Sequence, residues 1–348
     1  MSTSIVGVDI GGASLRAVEV SGAGGAKPTI SRIAEVALPP DAVRRGEVVE
    51  PNTVAAVLKK LWSTGGFSSK NVVLGMGNQR VLARDLSMPK MPLKQIKESL
   101  PFQVQDMLPM PVVDAVLDFY PVSESVGEQG PVVNGILVAA VKEAVLANVN
   151  TVRLAGLKPV GVDLNPFALS RVIGRTEHGD GAIAVVDIGG STTSILVMTD
   201  GVPQFVRIVG SGGDDITRAV STRMQMELPQ AEQAKRAVGL TDQPIPEEQR
   251  PVLEAVYAAA GELVTNIRNT ITFFDSTHEK RRVVRIVLVG NGARLTGLPK
   301  ALADYTRVPV TYADPLGGIP LSGAAQKADP AGQHSLSLAL GLALGAAA

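Results

Sequence analysis

Apolar positions in this chain follow two rhythms. The segment "SIVGVDIGGASLRAVEV" from Ser4 is a β-branched run, a Gly–Gly break and a second apolar run. That order predicts strand, tight turn, strand. "AIAVVDIGGSTTSILVMTDG" from Ala182 repeats it. Elsewhere the spacing is helical: Val57, Leu58, Leu61 and Trp62 share one face, as do Leu93, Ile96, Leu100 and Val104, where Pro101 is set to kink or end the helix. "NVVLGMGNQRVLARDLSMPKMP" from Asn71 reads strand, turn, strand; "AVLDFYPVSE" and "GILVAAVK" read as strands flanking a turn near Gly127. "EAVLANVNTVRLAGLKPVGVDL" reads helix, then strand. The closing "SLSLALGLALGAAA" is shorter than the roughly 20 residues that span a bilayer. It reads as a small-residue helix packed inside a domain, with a frayed tail as the lesser alternative for its last alanines. "GLTDQPIPEEQR" and "AAQKADPAGQH" read as polar loops. Trp62 and the methionines Met88, Met91, Met107 and Met110 are assigned to cores.

A chain of 348 residues, 45% hydrophobic, can bury two cores. Its 33 basic and 33 acidic residues balance, and no basic run exceeds the "KRR" at Lys280, which argues against a nucleic-acid groove. The absence of cysteine excludes disulfides and thiolate metal sites, and three histidines leave little for a His-rich one. No signal peptide is expected, because the first apolar run lacks a basic flank and is broken by Asp9.

The repeated word carries the chemistry. In each copy an Asp ends the first strand, Asp9 and Asp187, and small or hydroxyl residues follow: Gly11, Gly12, Ala13 and Ser14 in one, Gly189, Gly190, Ser191, Thr192 and Thr193 in the other. Glycine permits positive φ and close ligand approach. Small side chains leave the turn N–H groups open as a nest for phosphate oxygens. The aspartates are candidate ligands to a hydrated divalent cation. The copies stand roughly 180 residues apart, far too long for a solenoid repeat. That distance suits two duplicated halves presenting hairpins to a shared cleft.

This pair of hairpins resembles the two phosphate motifs of the actin-like ATPase superfamily, which includes actin, DnaK-type chaperones, sugar kinases and FtsA. Other stretches fit the resemblance. "RIVLVGNGARL" from Arg285 is similar to the adenosine motif, with Gly290, Asn291 and Gly292 as its turn. "GSGGDDITRAV" places Gly212 and Gly213 before a helix whose N-terminus favours anions. Glu232 and Lys235, one helical turn apart, match the pair that embraces the ribose in chaperone-like members. "VGVDLNPFALSRVI" and "SLALGLALGAA" resemble the two connecting helices of the hinge. The resemblance implies an α/β actin-like ATPase fold: two RNase H-like halves around a nucleotide cleft, binding ATP and Mg²⁺. Its halves are expected over 1–78 with 142–180, and 181–215 with 284–348, with a helical subdomain over 216–283.

The inserted segment, 79–141, resembles the SHS2-like subdomain of FtsA and of the PilM family. Its wording is PilM-like in "FQVQDMLPMPVVDAVLDF" and "NTVRLAGLKPVGVDLNPFAL". That family implies a cytoplasmic, actin-like component of the type IV pilus machinery, peripheral to the inner face of the membrane. Its implied partners are the N-terminal cytoplasmic tail of a PilN-like membrane protein and, indirectly, the pilus assembly ATPase complex. A peptide groove built partly from the helix around Ile96 to Met107 is expected. Hydrolytic relatives carry a carboxylate before the proline of the first connecting helix, where this chain has Asn165, which cannot accept a proton as a carboxylate does. Asp163, two residues back, is the candidate substitute beside Asp9 and Asp187. Slow turnover at most is expected. Two alternatives remain open: an FtsA-like filament-forming division protein, disfavoured because "LALGLALGAAA" has no basic face, and a small-molecule kinase, for which no acceptor motif is found.

Overall fold

A computed structural model describes residues 4–25, 27–128, 130–278, 281–327 and 335–345. The segment 328–334 and the last alanines, 346–348, lie outside the described residues, and with them most of one expected loop and the end of the expected closing helix. Strands β1 (Ser4–Ile10), β2 (Ser14–Ser21) and β3 (Thr29–Ala37) form an antiparallel meander. A two-strand ribbon, β4 (Val43–Arg44) and β5 (Glu47–Val48), and helix α1 (Pro51–Gly65) lead to β6 (Asn71–Met76), parallel to β1. The chain then leaves this sheet for β7 (Val81–Pro89), α2 (Leu93–Gln103), β8 (Ala115–Gly127) and β9 (Gly130–Val141). It returns through α3 (Lys142–Leu154) to β10 (Lys158–Leu164), parallel to β6. Helix α4 (Asn165–Ile173) crosses to the second sheet: β11 (Ala182–Ile188), β12 (Thr193–Thr199) and β13 (Val202–Val209). Helices α5 (Gly213–Met224), α6 (Leu228–Val238) and α7 (Arg250–Thr277) follow. Then come β14 (Val283–Val289), α8 (Leu298–Thr306), β15 (Val310–Tyr312) and α9 (Ser337–Gly345).

The sheet orders are β10-β6-β1-β2-β3 and β13-β12-β11-β14-β15. Each is an antiparallel meander extended by two parallel strands, so the repeated word marks a repeated architecture. Strands β1 and β11 are covered on both faces, which is why they are nearly continuous apolar runs. Alternate residues point to opposite faces. Val6 and Val8 face α1 and α3, while Ile5 faces the space between the sheets; Ala184 and Val186 face α5 and α7, while Ile183 and Val185 face that space. Asp9 and Asp187 continue the second set, so both carboxylates point into the space between the halves.

Helices α4 and α9 fill that space, and backbone approaches backbone there. A Cβ on Gly341 of α9 would stand 2.0 Å from the Ala168 carbonyl oxygen of α4, and one on Gly7 of β1 would stand 1.9 Å from the Ala339 oxygen. The small residues expected at the hinge are therefore required by contact distance.

The inserted sheet, β7-β9-β8, buries one face under α2 through Met88, Ile96, Leu100, Val104, Phe119 and Leu137. Its opposite face, through Ile136, Ala140, Ala83 and Tyr120, joins the cluster that contains Ile208 and Val206 of the second sheet. The inserted sheet thus touches both halves. Pro101 sits inside α2, which ends at Gln103. Trp62 is only half-buried: its ring lies tilted against Phe67, centroids 5.0 Å apart, and it donates its Nε1–H to the Ser69 carbonyl.

Candidate functional site

The two hairpins close in the same way. Gly11 N–H donates to the Ser14 carbonyl at 3.1 Å, and Gly189 N–H to the Thr192 carbonyl at 2.9 Å. At the tips, the N–H groups of Gly12, Ala13, Gly190 and Ser191 have no protein acceptor among the described residues. A Cβ on Gly12 would meet nothing within 4 Å. None of Gly11, Gly12, Gly189 or Gly190 has positive φ, contrary to the expected reason for glycine in these turns. Their use here is room: a Cβ on Gly190 would stand 2.6 Å from Asp214 Oδ2, and one on Gly11 2.9 Å from the Ser14 oxygen.

Asp9 and Asp187 differ in company. Cross-strand register sets Arg16 opposite Asp9, and Arg16 Nη1 pairs with Asp9 at 2.9 Å while its Nε reaches Glu35 at 3.0 Å. Ser14 Oγ donates to the same Glu35 oxygen at 2.6 Å. Burial pushes the Asp9 carboxyl up despite Arg16. Asp187 faces Ser194 across its hairpin and pairs with no cation among the described residues. Burial and the nearby Asp9 charge, offset only in part by Arg16, push it up to about 7. An unpartnered carboxylate at the end of a buried strand, beside open N–H groups, has the donor set that a hydrated cation with phosphate ligands needs.

The remaining glycines gather around the second hairpin. A Cβ on Gly212 would stand 2.5 Å from the Gly190 oxygen, and one on Gly292 would stand 2.8 Å from the Gly189 oxygen. Gly290, with φ +84, would place a Cβ 2.4 Å from Asp187 Oδ1. Gly213 lies within reach of both Gly292 and Lys235. Asn291 caps the short turn Gly292–Arg294. Thr193 Oγ1 donates to the Ser211 carbonyl at 2.8 Å.

The N-terminus of α5 differs from the anion seat expected there. Gly213 N–H donates to Gly189 O at 2.9 Å and Asp214 N–H to Gly190 O at 2.7 Å, while Gly212 N–H is taken by Asp215 Oδ2 at 2.8 Å. These donors bind the hairpin itself, so Gly212 and Gly213 serve to let α5 approach it. Glu232 and Lys235 lie beside them. Lys235 is buried and donates to Thr217 Oγ1 at 2.8 Å and Gly213 O at 3.1 Å. It also pairs with Glu232 at 2.5 Å. Burial works against the Glu232 charge, but hydrogen bonds from Lys235, Thr217 and Arg236 hold its carboxyl below the usual range.

Two residues at the hinge are committed elsewhere. Asp163 is paired with Arg171, whose Nε donates to Gly341 O at 3.0 Å, and its other oxygen accepts Leu164 N–H at 2.8 Å. That carboxylate holds Arg171 of α4, which in turn bonds α9. Asn165 Oδ1 is buried without a hydrogen-bond partner, its amide pressed against Gly75 and Gly77. Sequence reasoning missed Arg16. The available signal was its position, seven residues after Asp9, opposite it in a hairpin of known turn length.

The helix expected to line a peptide groove is closed: Ile96, Leu100 and Val104 are buried in the inserted subdomain's own core, and only its other face, with Phe102 79% exposed, is open. An open groove of ≈ 600 Å³ lies instead where α3 meets the inserted sheet, lined by Asp114, Val141, Lys142, Glu143, Leu146 and Asn150.

The sequence profile of the type IV pilus assembly protein PilM matches residues 7–347. The chain belongs to that family. A solved structure described as the PilM-PilN type IV pilus biogenesis complex is 28% identical, with a TM-score of 0.85, each chain covered completely. An MreB of Spiroplasma citri bound to AMPPNP, 13% identical with a TM-score of 0.51, covers 92% of this chain and 94% of its own; it shares the fold. The fold is thus the actin-like ATPase fold with the PilM-type inserted subdomain. Cell division protein FtsA of Neisseria meningitidis is 26% identical over 137 residues, 37% of this chain and 33% of its own length. FtsA of Bacillus subtilis is 20% identical over 227 residues, 58% and 51%. The chain therefore spans a third to about half of these curated relatives. Among the described residues no helix is long and apolar enough to cross a membrane.

Proposed function

We propose that this chain is the cytoplasmic, ATP-binding actin-like component of a type IV pilus assembly platform, docking the N-terminal tail of a PilN-like inner-membrane protein. The observation that carries the reading is the paired arrangement of open hairpin tips and buried aspartates facing one space, in a chain that superposes over its whole length on a PilM–PilN structure. Bound Mg-ATP would supply a ligand whose presence or loss closes or opens the cleft. The N–H groups of Gly12, Ala13, Gly190 and Ser191 would hold phosphate oxygens, with Ser14, Thr192 and Thr193 beside them, and Arg16 would add a cation. Asp187, with Asp9, would hold metal-bound water. Gly290, Asn291 and Gly292 would flank the base, and Glu232 and Lys235 the ribose.

Positioning without an acceptor for the water proton favours slow turnover. Asp163 is held by Arg171 and Asn165 is an amide pressed into backbone. We place the peptide in the groove between α3 and the inserted sheet, where Leu146 is 44% exposed between Lys142, Glu143 and Asn150. Fluorescence anisotropy with a labelled N-terminal peptide of the PilN-like partner tests this. Binding that Leu146→Arg abolishes, with the thermal midpoint kept, is expected. No binding by the unmodified chain overturns the reading. Calorimetry with ATP tests the other ligand, and no heat at millimolar nucleotide refutes it.

A further inference from the structure

The turn between β6 and β7 stands where the inserted sheet joins the first half. Its residues are tied down on both sides of Gln79. Asn78 is buried; its Nδ2 donates to Gly46 O at 2.9 Å, and its Oδ1 accepts Arg80 N–H at 3.0 Å. The Arg80 carbonyl accepts the N–H of Val141, the last residue of β9, at 2.9 Å. The same turn therefore holds the chain where it enters and where it leaves the inserted sheet. Arg80 Nε pairs with Glu47 at 2.9 Å.

The Gln79 side chain takes no part in this network. It reaches across to the second half and lies on Gly210: a Cβ there would be 1.2 Å from Gln79 Nε2 and 2.9 Å from its Cγ. Gly210 opens the loop that leads from β13 to α5. In that loop the Ser211 carbonyl accepts Thr193 Oγ1, and Gly213 and Asp214 bind the carbonyls of Gly189 and Gly190. One side-chain contact thus separates the base of the inserted sheet from the second Gly-rich hairpin.

We infer that Gln79 is a positioning residue that couples the seating of the inserted sheet to closure over the second hairpin. Rotating the halves apart lifts Gln79 off Gly210, because the turn moves with the first half and the loop with the second. A ligand that prefers the closed arrangement therefore prefers the seated Gln79. By linkage, whatever displaces the turn changes that ligand's affinity by the same factor. Glycine is the permissive partner: a methyl at 210 takes the place of the amide, and Gln79, held only at its backbone, swings away. The consequence for peptide and nucleotide rests on the proposed function; the contact does not.

The chain contains no cysteine, so a Gln79→Cys/Gly210→Cys variant carries only the introduced pair. The Cγ position of residue 79, which a cysteine sulfur would occupy, lies 2.9 Å from the Cβ position of residue 210. Standard disulfide geometry sets about 3 Å between one sulfur and the far Cβ. The variant is expected to crosslink under native oxidation. The crosslinked form should release a fluorescent ATP analogue about tenfold more slowly than the same protein reduced, and bind peptide equally with ADP and ATP. Gln79→Ala, Gly210→Ala and their combination should keep the thermal midpoint and weaken the nucleotide dependence of peptide binding to the same extent, without adding. Failure to crosslink, equal release from crosslinked and reduced forms, or additive effects would overturn the inference. If the unmodified chain binds no nucleotide, the proposed function fails, and the contact is judged separately. Crosslinking with faster amide exchange at Ser211–Asp214 in Gln79→Ala supports it, and the absence of either refutes it.

Discussion

Gly341→Ala tests the hinge through a single methyl. The new Cβ would stand 2.0 Å from the Ala168 oxygen, 2.5 Å from its carbonyl carbon and 3.1 Å from its Cα. All three are backbone atoms of α4, so no rotamer change relieves the clash. Ordinary carbon contacts lie near 3.5–4.0 Å, so α9 must withdraw by roughly 1.5 Å. The surrounding residues, Ala168, Leu169, Val172, Ala339, Leu340 and Leu342, are all essentially buried, and the withdrawal loosens each. Overpacking costs about 1–3 kcal/mol, and a backbone collision belongs at about 3 kcal/mol. The helix-propensity gain at this α9 position returns about 0.5–1 kcal/mol, so a net loss of about 2 kcal/mol is expected. Gly261→Ala is the matched control. It lies within α7 with nothing within 4 Å of its added Cβ, and gains about 0.5–1 kcal/mol from helix propensity. Urea unfolding of both variants, followed by circular dichroism and tryptophan emission, gives the two values. The reasoning fails if Gly341→Ala lies within about 0.5 kcal/mol of the unmodified chain, or if both substitutions move stability the same way.

Asp187, at about 7 in the folded chain against an ordinary 3.8, holds its proton more tightly folded than unfolded. Its contribution to stability is therefore full below about pH 4 and is lost as pH rises to about 7, by at most about 4 kcal/mol. Asp187→Asn should flatten that slope in metal-free buffer; an unchanged slope contradicts the assignment. Arg16→Ala should weaken ATP binding by about tenfold or more, by calorimetry, since it removes the cation nearest the first tip; unchanged affinity would show that Arg16 serves Asp9 and Glu35 alone. Asn165→Glu should lower the thermal midpoint without raising turnover to ~1 per second, because it puts a longer, charged group against Gly75 and Gly77; faster hydrolysis in phosphate-release assays would restore the catalytic reading of that position.

Much of the architecture was legible because it is local. Two β-branched runs, each ending in Asp-Ile-Gly-Gly, encode two hairpins, and alternation alone settles that Asp9 and Asp187 face the same way as Ile5 and Val185. Pairings between distant segments were not legible. Asp163 looked available until α4 brought Arg171 onto it. The α5 N-terminus looked like an anion seat until Gly189 and Gly190 took its donors. The apolar stripe of α2 signals burial, but the choice between a partner peptide and its own sheet depends on what the inserted strands place beneath it. Glu19, between Val18 and Val20 of β2, is wholly buried because the N–H groups of Ser68 and Ser69, some 50 residues away, bond its carboxylate. Sequence by itself determined the period of each segment, and hence its secondary structure and inward face. Only the tertiary structure decided which donor meets which acceptor. A hydrogen bond depends on distances of a few tenths of an ångström between segments whose spacing along the chain carries no such information.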